Sequence, residues 1–119
     1  MVSEETWGIA APMLNSALKY QDTHEIEDVR EAIDKGDAQL WCGARSCVVT
    51  EIIEHPRSRS CRIWLAAGCR KELVEQMLKD IRSWAKMQNC DKLCVVGRKG
   101  WARVLKEFSQ PHTILECSL

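Results

Sequence analysis

The chain has 119 residues, and its 17 basic and 17 acidic side chains give a formal net charge of zero. This balance excludes the broad electrostatic attraction to nucleic acid or anionic membranes that strongly basic proteins show. The length predicts a single domain over residues 1–119. No apolar run reaches 18 residues, and the N-terminus lacks the basic and apolar regions of a signal peptide, so we expect a soluble cytoplasmic protein without membrane contact.

The cysteine content is high for this length. The seven cysteines stand at positions 42, 47, 61, 69, 90, 94 and 117. Their odd number and their location in apolar strand patterns indicate reduced thiols packed as small apolar side chains. Neighbouring strands could bring Cys42, Cys47 and Cys61 to one metal ion, but the sequence has no C-x-x-C pair and its three histidines are isolated, so we expect no metal.

Two helices are predicted before the first strand. Residues 5–19 have apolar side chains at helical spacing. In the next helix Asp22 or Thr23 can cap the N-terminus, and Gly36 marks the end. The apolar stripe of this second helix consists of Ile26, Val29 and Ile33.

A meander of three strands follows, and then a crossover. The predicted elements are strands 38–42, 46–54 and 60–66, helix 70–88, strand 92–97, helix 99–108 and strand 112–119. Because a strand–helix–strand connection joins parallel neighbours, strands 60–66 and 92–97 should pair in parallel. We therefore predict an α/β (α+β) fold of order α-α-β-β-β-α-β-α-β, with a mixed, mostly antiparallel sheet and helices on both faces.

The junction between strand 60–66 and the next helix is the candidate binding site. Backbone N–H groups and a helix N-terminus meet there, which suits phosphate groups. The residues of this junction are Ala67, Gly68, Cys69, Arg70 and Lys71. Its single glycine lets the backbone approach a ligand closely, and the two basic side chains add positive charge.

Several segments carry a resemblance to a known family. They are Ala-Gln-Leu-Trp41, Val-Val-Thr-Glu-Ile52, Ile-Trp-Leu-Ala66 and Gly-Arg-Lys-Gly-Trp101. With the element order, they resemble the GNAT superfamily of acyl-coenzyme A-dependent N-acyltransferases, and more specifically the short GNAT-like proteins encoded by tailed bacteriophages. The likeness spans roughly residues 20–119.

The resemblance implies acetyl-CoA or another acyl-CoA as cofactor and a primary amine as substrate. It implies that the pantetheine arm pairs with the backbone of residues 64–66 (Trp64, Leu65 and Ala66), where strand 60–66 splays away from strand 92–97. It further implies that residues 67–73 hold the pyrophosphate, and that Glu51 or Glu54 removes the amine proton. Arg98 lies in a basic turn before Trp101, at a second predicted helix start that could also hold an anion.

A second hypothesis stays open because the family's catalytic tyrosine has no counterpart. The only tyrosine is Tyr20, far from the corresponding helix in sequence. The chain could instead be a catalytically degenerate GNAT-like module that acts as a phage virion or assembly component. In that case its open sheet edges would pair with another copy, giving a homo-oligomer, or with a phage structural protein.

Overall fold

The computed structural model describes residues 2–97 and 100–119. Its helices are α1 (Glu4–Leu18), α2 (Ile26–Lys35), α3 (residues 70–87) and α4 (Gly100–Val104). Its strands are β1 (Gln39–Cys42), β2 (Ser46–Glu54), β3 (Arg59–Gly68) and β4 (Lys92–Val95). The strands form one sheet of order β1-β2-β3-β4, antiparallel except for the β3–β4 pair. The predicted fold class, the meander and the parallel crossover are confirmed.

Two apolar clusters lie on opposite faces of the sheet. The first core, under α1 and α2, contains Trp7, Ala10, Leu14, Leu18, Val29, Ala38, Cys47, Val49 and Leu65. The second core, under α3, contains Val48, Cys61, Ile63, Leu73, Met77, Ile81 and Ala85. Side chains that alternate along β2 supply both clusters, as expected for a strand covered on both faces.

Helix α1 begins where a serine caps it. Ser3 Oγ accepts a hydrogen bond from the Thr6 N–H at 3.2 Å, which satisfies one of the free donors of the first turn. The buried face starts with Trp7, whereas Ile9, which the helical spacing predicts as part of the apolar stripe, is 67% exposed, so that part of the prediction is wrong. The Arg30 guanidinium of α2 lies 5.7 Å from the Trp7 ring and joins the two helices.

The start of α2 differs from the prediction. Its N-cap is Glu25, and neither Asp22 nor Thr23 takes that place. The Glu25 N–H donates to Asp28 Oδ2 at 2.8 Å. An acidic side chain in the first turn of the helix thus accepts the hydrogen bond of the N-cap backbone N–H. The predicted end is confirmed, since Gly36 has a φ of 83° and terminates the helix in the left-handed conformation.

Helix α3 is continuous but not uniform. It consists of an α-helical turn (Arg70–Glu72), a π-helical turn (Leu73–Met77) and a longer α-helix (Leu78–Met87). In the π-turn the Leu78 N–H donates to the Leu73 carbonyl, five residues back. Asn89, with a φ of 63°, follows the helix end.

A bulge in β3 changes which face its residues occupy. Val49 of β2 pairs with Leu65, but the next residue, Thr50, pairs with Ile63, so Trp64 is an extra residue. As a result Ile63 belongs to the second core and Leu65 to the first. Strict alternation along β3 predicts Trp64 on the same face as Arg62 and Ala66, opposite Leu65. Because of the bulge, Trp64 and Leu65 instead both pack against the first core, while Ala66 packs against the second.

The C-terminal part of the chain departs most from the prediction. Helix α4 ends at Val104, although helix 99–108 was predicted, and its Trp101 still packs against the second core. The predicted strand 112–119 is wrong, because these residues are irregular and exposed. A strand needs a hydrogen-bonded neighbour, and β4 pairs only with β3 among the described residues. None of the helices in the described ranges is long and apolar enough to cross a bilayer.

Candidate active site

The parallel strands β3 and β4 separate halfway along β3. Their pairing runs from Ser60 opposite Lys92 to Ile63 opposite Val95. The Val96 N–H then donates to the Ile63 carbonyl at 3.3 Å. From there β3 continues to Gly68 paired with β2 alone, so one edge of residues 64–68 has no neighbouring strand within the described part of the chain.

Apolar side chains close the base of this opening. A cavity of about 30 Å³ lies there, close to the space that one or two water molecules need. Its lining includes Ala66 of β3, Val95 of β4 and Trp101 of α4. Gly97 makes room for the indole, because a Cβ atom at this position would lie 2.9 Å from Trp101 Cδ1. A larger ligand therefore has to enter along the open strand edge.

The bulge is fixed by the connection between α1 and α2. The Trp64 indole N–H donates to Gln21 Oε1 at 3.1 Å, and Gln21 Nε2 approaches the Trp64 carbonyl at 3.5 Å. His24 packs edge-on against the indole, with ring centroids 4.9 Å apart. A groove of about 300 Å³ runs beside this contact. It is lined by Asn15, Leu18, Lys19, His24, Glu25, Ile26 and Glu27.

The strand-to-helix junction packs tightly against the β1–β2 turn. Gly68 has a φ of 112°, and a Cβ atom there would lie 2.2 Å from the Arg45 carbonyl oxygen. The Cys69 N–H donates to the same carbonyl at 3.2 Å and is therefore occupied. The N–H groups of Arg70 and Lys71 lie in the first turn of α3, where no intrahelical acceptor exists, and both side chains are exposed.

The Glu72 carboxylate binds the turn between β1 and β2. It accepts hydrogen bonds from the N–H groups of Ala44 at 3.1 Å and Arg45 at 2.9 Å, and from the Ser46 hydroxyl. The Ser46 hydroxyl, followed by these N–H groups, lowers the pKa of Glu72 below its usual 4.5. This carboxylate thus ties the beginning of α3 to the turn that Gly68 contacts.

Neutralising Glu72 is expected to remove part of the acid sensitivity of the fold. Because its pKa is lower in the folded state, the carboxylate stabilises the protein above about pH 4.5, and this stabilisation is lost as the pH falls through the folded pKa. Glu72→Gln should lower the melting temperature at pH 7 and flatten its dependence on pH below 4.5. Thermal unfolding from pH 7 to pH 3 measures both effects. Glu75→Gln, at an exposed position of the same helix, is the control, and equal behaviour of the two variants would contradict the assignment.

The two candidate bases lie at different distances from the opening. Glu51 Oε1 pairs with Arg62 Nη2 at 2.5 Å, next to Ile63 where the β3–β4 pairing ends. Glu54 Oε1 pairs with Arg59 Nη1 at 2.9 Å, about 10 Å further along the sheet. The alternation of β2 places Glu51 on the face of the first core, the face to which Trp64 also turns.

The remaining candidates are distributed as follows. Arg98 lies outside the described residues. Cys47 belongs to the first core and Cys61 to the second, so the sheet separates the two thiols that a shared metal site would need. Within residues 2–97 and 100–119 no three His, Cys, Asp or Glu side chains are grouped as metal ligands.

Three residues of the site were not anticipated. Gln21 and His24 lie in a predicted loop and contact Trp64 of β3. Hydrophobic periodicity predicts helices and strands, and it does not reveal contacts between a loop side chain and a strand. Glu72 carried a partial signal, since an acidic residue in the first helical turn is common. Its binding to the β1–β2 turn depends on tertiary contact and is visible only in the structure.

Comparison with solved structures gives this arrangement a context. A probable acetyltransferase matches with a TM-score of 0.71 and 11% identity, over 99% of this chain and 93% of that one. A predicted acetyltransferase from Clostridium acetobutylicum, solved with acetyl-CoA, matches with a TM-score of 0.68 and 16% identity, over 98% and 92%. An aminoglycoside 6′-N-acetyltransferase from Acinetobacter haemolyticus matches with a TM-score of 0.68 and 10% identity, over 99% and 94%. The chain has the GNAT-like fold of these structures. No family model and no curated sequence matches it.

Proposed function

We propose that this GNAT-fold protein is an acyl-CoA-dependent N-acyltransferase that transfers an acetyl group to a primary amine. The observation that carries the proposal is the unpaired edge of β3 over residues 64–68, which leads directly into the N-terminus of α3. An acyl-CoA offers complementary chemistry, with amide groups in its pantetheine arm and a negatively charged pyrophosphate at its other end. Bound there, it would supply an activated thioester carbonyl, from which the acyl group passes to the amine nitrogen while the thiol is released.

The residues present fit such a ligand. Apart from the Trp64 carbonyl, which Gln21 Nε2 approaches, this strand edge has free backbone donors and acceptors, so the arm can add to the sheet as a short strand at Trp64, Leu65 and Ala66. The pyrophosphate would meet the first-turn N–H groups and side chains of Arg70 and Lys71, which together favour an anion. The Glu72 carboxylate is held on the side of the β1–β2 turn by its hydrogen bonds to the N–H groups of Ala44 and Arg45.

Glu51 is the better candidate for the base. Its carboxylate lies beside the point where the strands separate, on the face shared with Trp64 and the α1–α2 connection. The amine would reach it from the groove near His24, and its proton would pass to the carboxylate directly or through water. Glu54 is ion-paired further from the opening and serves as the comparison.

Titration calorimetry with acetyl-CoA and coenzyme A tests the binding step. Charge reversal of Arg70 and Lys71 to Glu should weaken the affinity of both ligands by about 100-fold or more, since two residues are changed and charge-assisted hydrogen bonds to phosphate contribute about 1.5–3 kcal/mol each. The matched control reverses Lys79 and Lys86, which are exposed further along α3. Equal affinities of the two double variants would remove these residues from the proposal. No heat and no thermal shift at millimolar ligand would contradict acyl-CoA binding altogether.

A non-catalytic, protein-binding role is the second candidate. It is favoured by the C-terminal residues, which expose Ile114 by 75% and Leu115 by 91% on an extended segment. A homo-oligomer or a complex with a phage virion or assembly protein would cover them. Native mass spectrometry distinguishes this role, because it requires an assembly larger than the monomer. A monomer that binds acetyl-CoA would contradict it.

A further inference from the structure

Two cysteines lie directly opposite each other where β1 and β2 meet. Cys42 of β1 is the register partner of Cys47 of β2, and their sulfur atoms are 3.7 Å apart. The Gly43 N–H donates to the Ser46 carbonyl at 2.8 Å on the turn side of this pair. The cysteines therefore occupy a non-hydrogen-bonded position, where the Cα atoms of antiparallel strands approach to about 4.5 Å. That separation lies within the range of about 4.4–6.8 Å that a disulfide spans.

The two thiols also differ in a way that suits stepwise oxidation. Cys42 is exposed, so a soluble oxidant can reach it, whereas Cys47 is buried, with 2% of its surface exposed. Burial raises the pKa of Cys47 to about 12, and its sulfur lies 3.7 Å from Cys42 Sγ and 3.9 Å from Met13 Sδ. Cys42 is thus the thiol that reacts first with an external reagent, and Cys47 is the neighbour that resolves the product.

We propose that Cys42 and Cys47 form a redox-active pair that is oxidised to an intrachain disulfide by low-molecular-weight disulfides of the glutathione type. The Cys42 thiolate attacks one sulfur of oxidised glutathione, forms a mixed disulfide and releases one glutathione. Cys47 then loses its proton to solvent and attacks the Cys42 sulfur, which releases the second glutathione. Two protein thiols are oxidised and one glutathione disulfide is reduced to two thiols, so atoms and electrons balance.

The pair adjoins the candidate active site. The disulfide would link the two strands next to the β1–β2 turn. In this turn the Ala44 and Arg45 N–H groups donate to Glu72, and the Arg45 carbonyl accepts from the Cys69 N–H. Its formation does not depend on acyl transfer, and the redox state of the pair is measurable whether or not the protein binds acyl-CoA.

Peptide mapping after glutathione equilibration tests the pair. The full chain is equilibrated at rising ratios of oxidised to reduced glutathione, quenched with iodoacetamide and digested with trypsin. Cleavage after Lys35, Arg45 and Arg57 separates the two cysteines into peptides 36–45 and 46–57. We expect these peptides to become linked by a disulfide in most molecules at the oxidising end, and to separate again at the reducing end.

The other thiols provide the control. Cys117, exposed near the C-terminus, should accumulate glutathione as a mixed disulfide. In Cys47→Ser, Cys42 should do the same, because its resolving partner is gone. Wild-type protein in which Cys42 carries glutathione while Cys47 is alkylated, or in which both are alkylated while Cys117 is modified, would overturn the proposal. The wild-type map decides the question even if Cys47→Ser does not fold.

Discussion

Replacing Gly68 with alanine is expected to lower the free energy of unfolding by about 3 kcal/mol or more. Backbone strain and overpacking both contribute to this loss. The φ of 112° is a conformation that L side chains rarely adopt. The new Cβ would also lie 2.2 Å from the Arg45 carbonyl oxygen and 2.6 Å from Ser46 Cα, and backbone atoms cannot move aside as a flexible side chain can. Chemical denaturation at pH 7 measures the loss.

Gly36→Ala is the matched control. Gly36 also has a positive φ, of 83°, but no atom lies within 4 Å of the position that its Cβ would take. Its replacement should cost only the conformational term, about 1 kcal/mol. Similar losses in the two variants would mean that Gly68 is not packed against the β1–β2 turn. Because the expected defect is in stability, a loss of ligand binding in Gly68→Ala would not by itself identify a pyrophosphate contact.

Replacing Glu51 with glutamine is expected to slow acyl transfer by about 10²- to 10⁴-fold, the usual contribution of a general base. The amide keeps the shape of the side chain and can still accept a hydrogen bond from Arg62, so the fold and the affinity for acetyl-CoA should change little. The rate of coenzyme A release from acetyl-CoA in the presence of a panel of primary amines provides the measurement. This expectation rests on the proposed function.

Glu54→Gln tests whether the loss of rate is specific to Glu51. Glu54 also forms a strand-to-strand ion pair, with Arg59, but about 10 Å further from the opening. Its replacement should leave the rate within about twofold of the wild type, as is usual for a surface substitution of small energetic effect. Equal rates for Glu51→Gln and the wild type, with acetyl-CoA still bound, would remove Glu51 as the base and leave the binding proposal intact.

Most of the fold could be predicted because its elements carry local signals. The apolar stripe of α3, the β-branched run of β2 and Gly36 at the end of α2 all specify structure over a few residues, and each is found where it was expected. The strand predicted at 112–119 is not formed. Its pattern is suited to a sheet, but these residues are irregular and exposed, and they pair with neither edge strand of the described sheet, β1 or β4.

The site was less predictable because its contacts join distant parts of the chain. The Glu72 carboxylate meets the Arg45 N–H across 27 positions, and the Trp64 indole meets Gln21 across 43. Neither pair has a spacing that local periodicity could reveal. The location of the junction at residues 67–71 followed from element order alone, whereas the occupation of the Cys69 N–H by Arg45 required the folded structure.

The extra residue at Trp64 affects how this chain can be aligned with the solved structures that share its fold. Ile63 and Leu65 are two positions apart, yet they pack into different cores. An alignment that assumes regular alternation of side chains through Trp64 therefore assigns every later residue of β3 to the wrong face of the sheet. Deleting the extra residue would remove the bulge and leave residues 65–68 paired with β2 in regular alternation. At residue identities of 10–16%, the strand pairing at this bulge is therefore needed to assign residues 65–68 to the correct face of the sheet.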